Sequence, residues 1–223
     1  MHNEQNAVLD CSETTVKYPT FAERLRPRLI DELLISNSSI AKFNAMITSR
    51  DVMNMIFYGM PGTGKTTCAN LIANSSDFDI LRLNASLNNG IDDIRNQVEQ
   101  YATSMSLYSD KKIVLLDESD YLSRNAQASL RSLIEKTISN CRFILTANVL
   151  SNIQQPLQSR CRPFCFDVPF LSLNESIEKL IQTIKSRLKE LNSDLNESRL
   201  RQIVVMKFPD YRAIANEIEF ELL

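Results

Sequence analysis

The sequence predicts an α/β fold, a parallel sheet flanked by helices and followed by a small domain of three helices. Three observations point there. Short apolar runs alternate with segments of helical period up to residue 170, one of these runs ends in a glycine-rich loop, and the patterns from Leu171 onward are helical with no strand between them. Strands that alternate with helices form crossover units, which lay the strands parallel and cover both faces of the sheet.

After a polar leader (1–20), the first strand is expected in MNMIFYG (53–59), which runs into the glycine loop, and a helix over 65–74 follows. DILRLNAS (79–86) reads as the second strand, and Ile91, Ile94, Val98 and Tyr101 give a helical stripe behind it. KKIVLLDES (111–119) is a continuous aliphatic run, the pattern of a strand covered on both faces. Leu130, Leu133, Ile134 and Ile138 mark the next helix, followed by strands in CRFILTAN (141–148) and PFCFDVP (163–169). NESIEKLIQTIKSRLKELN, LNESRLRQIVVMK and DYRAIANEIEFELL then each repeat apolar residues at helical spacing. The expected division is an α/β domain over 21–170 and a helical lid domain over 171–223.

Composition narrows the function classes. With 223 residues, 43% of them hydrophobic, the chain can bury a sizeable core. No apolar run reaches the roughly 18 residues that span a bilayer, and MHNEQNAVLD lacks the basic and apolar blocks of a signal peptide. The expectation is a cytoplasmic, reducing compartment with no membrane partner. Five cysteines (Cys11, Cys68, Cys141, Cys161, Cys165) form no CxxC, and the single histidine leaves no zinc set, so the thiols read as reduced and mostly buried. A net charge of −2 argues against an isolated, basic nucleic-acid module, though local basic patches remain open.

The chain has four glycines, and Gly59, Gly62 and Gly64 fall within FYGMPGTGKTT (57–67). GMPGTGKT (59–66) matches G-x-x-x-x-G-K-[ST] between a predicted strand and a predicted helix, the context that motif requires. Backbone N–H groups can curl around a β-phosphate where no Cβ intervenes, and a helix N-terminus adds partial positive charge. Gly62, Thr63, Gly64 and Thr67 would line this cradle, Lys65 would bridge the β- and γ-phosphates, and the Thr66 hydroxyl would ligate Mg²⁺. An acid is then expected at the carboxyl end of a neighbouring strand. Asp117 would hold Mg²⁺ through water and Glu118 would orient or deprotonate the attacking water. Acids ending a strand also serve as loop or helix caps; their coincidence with the phosphate loop favours chemistry, and two adjacent acids suggest hydrolysis. Asn148, ending ILTAN (144–148), can bond both γ-phosphate and water, or cap the next turn, and neither role excludes the other.

ERLRP (23–27), the phosphate loop, LNASLNNGIDDIR (83–95), LLDESD (115–120), AQASLRSLIE (126–135), ILTAN, PLQSRCR (156–162) and FPDYR (208–212) occur in the order found in clamp-loader small subunits of the AAA+ class. Over roughly residues 20–220 the chain resembles replication factor C small subunits, and FPDYR with PLQSRCR is most similar to the T-even bacteriophage form. The resemblance implies an AAA+ P-loop NTPase that binds ATP and Mg²⁺ and loads a sliding clamp onto primer–template DNA. Its implied partners are copies of itself and a large subunit in a pentameric ring. Arg160 resembles the arginine finger that acts on the neighbouring subunit's ATP, and Arg212 the lid arginine that contacts the γ-phosphate in cis. Gln127 and Arg131 resemble positions linking DNA contact to Glu118.

Some residues depart from the family. Arg24 and Leu25 stand where Lys-Tyr is usual, so Glu23, Arg24, Leu25 and Leu34 are expected to border the base without fixing its selectivity. Asn89 replaces a basic residue, which leaves DNA phosphates to backbone N–H groups near Gly90 and Ile91, to Arg95, and to Ser123 and Arg124. Family members continue into a helical collar, whereas this sequence stops at FELL; weak self-association and a low basal ATPase rate are expected. The rival expectations are another AAA+ class, such as a helicase loader or an unfoldase, and a scaffold that binds ATP without hydrolysing it. No aromatic-hydrophobic-glycine triplet, the grip of an unfoldase, follows the second strand.

Overall fold

In the computed structural model the described residues are 20–75, 78–86, 91–104, 111–167 and 172–223, with only the backbone described for 91–95. Two helices precede the sheet. The first, α1 (Phe21–Leu25), starts from a reciprocal cap in which Thr20 and Glu23 accept each other's backbone N–H. A single helical turn (Ile30–Glu32) leads to α2 (Asn37–Ser49), capped by the Ser36 hydroxyl, which accepts the Ser39 N–H at 3.1 Å. Neither helix was foreseen from the sequence, although T-x-x-E at 20–23 and the stripe Ile40, Phe43, Ile47 carry the signals.

The sheet units follow in alternation: β1 (Met55–Tyr58), α3 (Lys65–Asn74), β2 (Asp79–Asn84), α4 (Ile91–Thr103), β3 (Lys112–Asp117), α5 (Arg124–Lys136), β4 (Cys141–Ala147), α6 (Gln155–Gln158) and β5 (Arg162–Cys165). Every strand pair is parallel and the order is β2-β3-β4-β1-β5. Every strand ends earlier than expected, while β2 and β4 start at the expected residue and β5 starts one residue sooner, because apolar patterning does not reveal where the ladder gives way to turns. Ile138 lies beyond α5 and is 58% exposed, since the helix ends at Thr137. Val168 and Pro169 lie outside the described residues.

Alternation along the strands builds two cores. Ile113, Leu115, Ile144, Met55 and Phe57 face α3, where Cys68, Ala69 and Ile72 are buried, while Val114, Leu116, Phe143, Leu145 and Ile56 face the opposite way with Val98, Leu130 and Leu133 of α4 and α5. An edge-to-face cluster joins α2 to the sheet, with Phe43 5.1 Å from Phe164 and Phe57 5.4 Å from Phe166. On the edge strand β5, the N–H groups of Arg162 and Phe166 donate inward to Asn54 and Tyr58. Pro163, paired with Ile56, therefore directs its backbone nitrogen away from the sheet and costs the ladder no bond. Cys68, Cys141 and Cys161 are buried free thiols and Cys165 is half-buried; burial pushes Cys141 and Cys161 up to about 12. Cys11 is outside the described residues.

Three helices complete the chain, α7 (Leu173–Glu190), α8 (Glu197–Lys207) and α9 (Tyr211–Glu221). Ile177, Leu180, Ile181, Ile184, Leu200, Ile203, Val204, Ile214 and Ile218 form their core, and Phe21 and Leu25 of α1 complete it. Residues 21–25, grouped with the sheet on sequence grounds, thus pack with the helices, and the Tyr211 hydroxyl donates to the Leu25 carbonyl at 2.5 Å.

Charged side chains of α7 hold the segment before α2. Lys179 donates to the Leu33 carbonyl at 2.7 Å, and Arg187, 7% exposed in its side chain, donates to both carboxylate oxygens of Glu32 at 2.6 and 2.7 Å. Glu32 also accepts the Arg28 N–H at 2.7 Å. Arg187 also donates to Glu190 at 2.7 Å, so losing Glu32 leaves the buried guanidinium with one carboxylate in place of two. Glu32→Leu is expected to lower unfolding stability by about 2 kcal/mol, and Glu32→Leu with Arg187→Met by less, in equilibrium urea denaturation.

Candidate nucleotide site

The loop after β1 is shaped by glycine. Gly59, Gly62 and Gly64 adopt φ of 138°, 79° and 98°, a region side chains disfavour. At Gly62 a Cβ would also meet the Asp210 carboxylate at 2.0 Å, so the lid approaches the loop closely. The Gly62 carbonyl accepts the Tyr211 N–H at 3.0 Å, a backbone bond between the loop and the first residue of α9. Asp210 in turn caps α9 by accepting the Arg212 and Ala213 N–H groups, each at 3.0 Å.

Lys65, the first residue of α3, is buried and donates to the Gly59 and Met60 carbonyls at 2.7 and 2.6 Å. Burial pushes its ammonium below the ordinary lysine range, and the Asp167, Asp117 and Asp120 carboxylates oppose that shift. Asp167 also accepts the Met60 N–H, which ties the loop to the end of β5. A cleft between loop and lid is lined by Ala22, Arg26, Pro27, Glu32, Leu33, Leu34, residues 62–67, Leu180, Tyr211 and Arg212.

This cleft brings together most of the residues expected to bind the nucleotide. Gly62, Thr63, Gly64, Lys65, Thr66, Thr67, Leu34 and Arg212 all line it. Glu23, Arg24 and Leu25 are not among its lining residues. Leu25 is fully buried in the lid core, Glu23 caps α1, and Arg24 lies over the Phe21 ring at 5.2 Å. The apolar Leu25 follows the helix core, and the wall passes to Ala22, Arg26 and Pro27.

Asp117 ends β3 beside this loop, and Glu118 follows it. Thr66 donates to Asp117 Oδ1 at 2.8 Å, and the Thr146 hydroxyl of β4 reaches the same oxygen. A hydroxyl and a carboxylate brought together in this way are oxygen donors of the kind Mg²⁺ takes, so the pair fits the expected arrangement of Thr66 on the ion and Asp117 reaching it through water. Glu118 takes the left-handed conformation (φ 56°, ψ 41°), and its N–H donates to Thr146 Oγ1 at 3.0 Å. Asp120 Oδ2 accepts the N–H groups of Asn148 and Val149 at 3.0 and 3.3 Å. Asn148 is half-buried, and the turn after it starts from Val149 with no side-chain cap. Thr146, Asp120 and Asp167 were not singled out from the sequence; their places in ILTAN, LLDESD and at the end of the last strand were the available signal.

Arg160, Gln127, Arg131, Ser123 and Arg124 are not among the residues that line the cleft. Arg160 pairs within its own chain with Glu135 of α5, its Nε 2.6 Å and its Nη2 2.5 Å from the carboxylate. Gln127 is 2% exposed and bonds the Leu122 and Asn152 carbonyls, both at 3.0 Å, and the Gln154 N–H at 2.7 Å. Its amide group is therefore shared between Leu122, in the turn that follows Glu118, and the segment before α6, and its bonds go to these backbone groups rather than to Glu118 itself. Arg131 is half-buried on the same helix. Ser123 caps α5 through the Ala126 N–H at 3.2 Å, with Arg124 exposed beside it. Gly90 is outside the described residues, and only the backbone of Ile91 and Arg95 is described, at the start of α4.

Residues 55–167 match the profile of the ATPase family associated with various cellular activities (AAA). The chain is 34% identical over 205 residues to the replication factor C small subunit of Staphylothermus marinus, covering 89% of this chain and 60% of that protein. It is 33% identical over 202 residues to the same subunit of Haloarcula marismortui (88% and 60%) and 30% identical over 213 residues to replication factor C subunit 5 of Homo sapiens (92% and 61%). The chain thus spans about 60% of the length of these curated relatives. Among solved structures, a variant of Thermotoga maritima RuvB superposes with a TM-score of 0.68 at 18% identity, covering 86% of this chain and 63% of that one. The structure titled as the RuvB Holliday junction branch migration motor gives 0.60, also at 18% identity, covering 88% and 73%. These superpositions concern the fold, a five-stranded parallel sheet with helices and a helical domain after it. The chain belongs to the AAA family of ATPases.

Proposed function

We propose that this chain is an ATP-hydrolysing subunit of a sliding-clamp loader in DNA replication. The observation that carries the hydrolytic part is the contact of Thr66 with Asp117 at 2.8 Å, with Glu118 adjacent and Arg212 across the cleft. The loader assignment is supported by the replication factor C relatives, which align over about 90% of the chain.

The phosphates of ATP would lie along the N–H groups of residues 62–67, with Lys65 turning from the Gly59 and Met60 carbonyls to the β- and γ-oxygens. Thr66 would hold Mg²⁺ directly and Asp117 through water, and the ion would neutralise charge on those oxygens. Glu118 would take the proton of the attacking water, Asn148 would orient that water, and Arg212 would close on the γ-phosphate from the lid. Ala22, Arg26, Pro27 and Leu34 would border the base.

Arg160 would act on the nucleotide of an adjoining subunit. In the single chain Glu135 neutralises it, so basal turnover should be slow and rise on assembly. The 21–170 and 171–223 units would move as a motor domain and its lid, with α1 travelling on the lid. Primer–template DNA would meet the α4 start near Gly90, Ile91 and Arg95, and Ser123 and Arg124 at the start of α5, through phosphate contacts that read shape. Gln127 and Arg131 would pass that contact on mechanically, through the turns around α6. The partners would be a sliding clamp, copies of this chain and a large subunit in a five-membered ring.

The direct test measures ATP turnover with and without primer–template DNA and a clamp. Stimulation by both is expected; stimulation by a protein substrate instead would overturn the loader reading. Glu118→Gln should keep Mg·ATP affinity while turnover falls on the order of 10²- to 10⁴-fold, read by calorimetry and phosphate release. Lys65→Ala should weaken binding itself. Arg160→Ala should bind ATP normally and lose on the order of 10³-fold in rate in the assembled ring alone.

A further inference from the structure

We infer that Thr146 is a positioning residue of the hydrolytic site, one hydroxyl that sets both the side chain of Asp117 and the backbone of Glu118; this rests on the reading that the chain hydrolyses ATP. The strand order puts β4 between β1, which carries the phosphate loop, and β3, which carries the acids. The register Leu116↔Leu145 continues to set Asp117 beside Thr146, while Phe57↔Thr146 sets the end of β1 on its other side. Side-chain alternation turns Thr146 to the same face as Ile144, toward α3 and Thr66. Thr146 is 2% exposed, and its branched Cβ restricts rotation in that packed setting.

The direction of each bond follows from chemistry. A backbone N–H only donates, so in the 3.0 Å contact with Glu118 the Thr146 oxygen accepts. Its one proton is therefore available to Asp117 Oδ1, which also receives the Thr66 hydroxyl. A carboxylate that accepts two hydroxyl protons at one oxygen is held in rotation.

Glu118 needs holding for a second reason. Its φ of 56° is unusual for a residue with a side chain and is retained when neighbouring contacts impose it. Its N–H bond to Thr146 is such a contact, and Asp120 adds the reciprocal one by taking the Asn148 and Val149 N–H groups. Released from Thr146, Glu118 can relax toward negative φ, which redirects its carboxylate. Serine can replace threonine here and valine cannot, although valine matches the shape.

The test compares Thr146→Val, which removes the hydroxyl at nearly constant volume, with Thr146→Ser, which keeps it. Amide exchange of Glu118 is followed by NMR on the full chain, Mg·ATP affinity by calorimetry, and single-turnover hydrolysis in the presence of primer–template DNA and clamp. In the valine protein exchange should quicken roughly tenfold or more. Hydrolysis should fall on the order of 10²-fold, while affinity stays within about threefold. The serine protein should return all three toward wild type. Unchanged Glu118 protection in the valine protein would overturn the inference, as would wild-type turnover in that protein or a serine protein as impaired as the valine one. Should the valine protein not fold, Thr146→Ala is read in the same way. If the wild-type chain itself fails to turn over ATP, the hydrolytic reading falls, and Glu118 exchange alone decides whether Thr146 holds that residue.

Discussion

The hydrogen bond from the Thr66 hydroxyl to Asp117 spans elements that are not neighbours in the sheet, since β4 lies between β1 and β3. It exists because α3 begins over the end of β1 and leans across β4, with Cys68, Ala69 and Ile72 seated on the face that also carries Ile113, Leu115 and Ile144. Packing of that face sets where the first turn of α3 stands. The first turn sets which oxygens meet, and only then does the loop before it have the curvature to accept phosphate. Burial of apolar side chains and the meeting of Thr66 with Asp117 are one arrangement seen from its two ends.

The lid is joined to this arrangement by backbone as well as side chains. Tyr211 donates its N–H to the Gly62 carbonyl and its hydroxyl to the Leu25 carbonyl, so one residue touches the phosphate loop and the α1 helix. Arg187 and Lys179 fasten α7 to Glu32 and Leu33, which line the same cleft. A ligand filling the cleft therefore contacts both domains at once, and any difference in its fit between open and closed lids becomes a bias in their angle.

Legibility in the sequence followed the range of the forces. The strand–helix alternation and the phosphate loop were readable because periodicity and glycine placement are local, and α3 runs from Lys65 to Asn74 as its pattern indicated. The place of Asp117 and Glu118 at the carboxyl end of β3 was readable because acids at the end of an aliphatic run are conspicuous. Leu25 was not: its side chain is claimed by Ile181, Ile214 and their neighbours, more than a hundred residues away in sequence, and no local pattern announces that. Thr146 looked like an ordinary β-branched strand residue until the strand order set it between two functional edges. Gln127 stood out through the resemblance alone, and its partners, the Asn152 carbonyl and the Gln154 N–H, belong to turns that have no periodicity to read.

Pro163 on β5 has a consequence for how such a chain can coexist with copies of itself. An outermost strand offers a row of unused donors and acceptors on which foreign β-structure can template, and proline deletes a donor from the middle of that row. Runaway strand addition past β5 is therefore interrupted at the point where it would have to nucleate. Copies of the chain held close together then carry less hazard of amyloid-like growth along this margin.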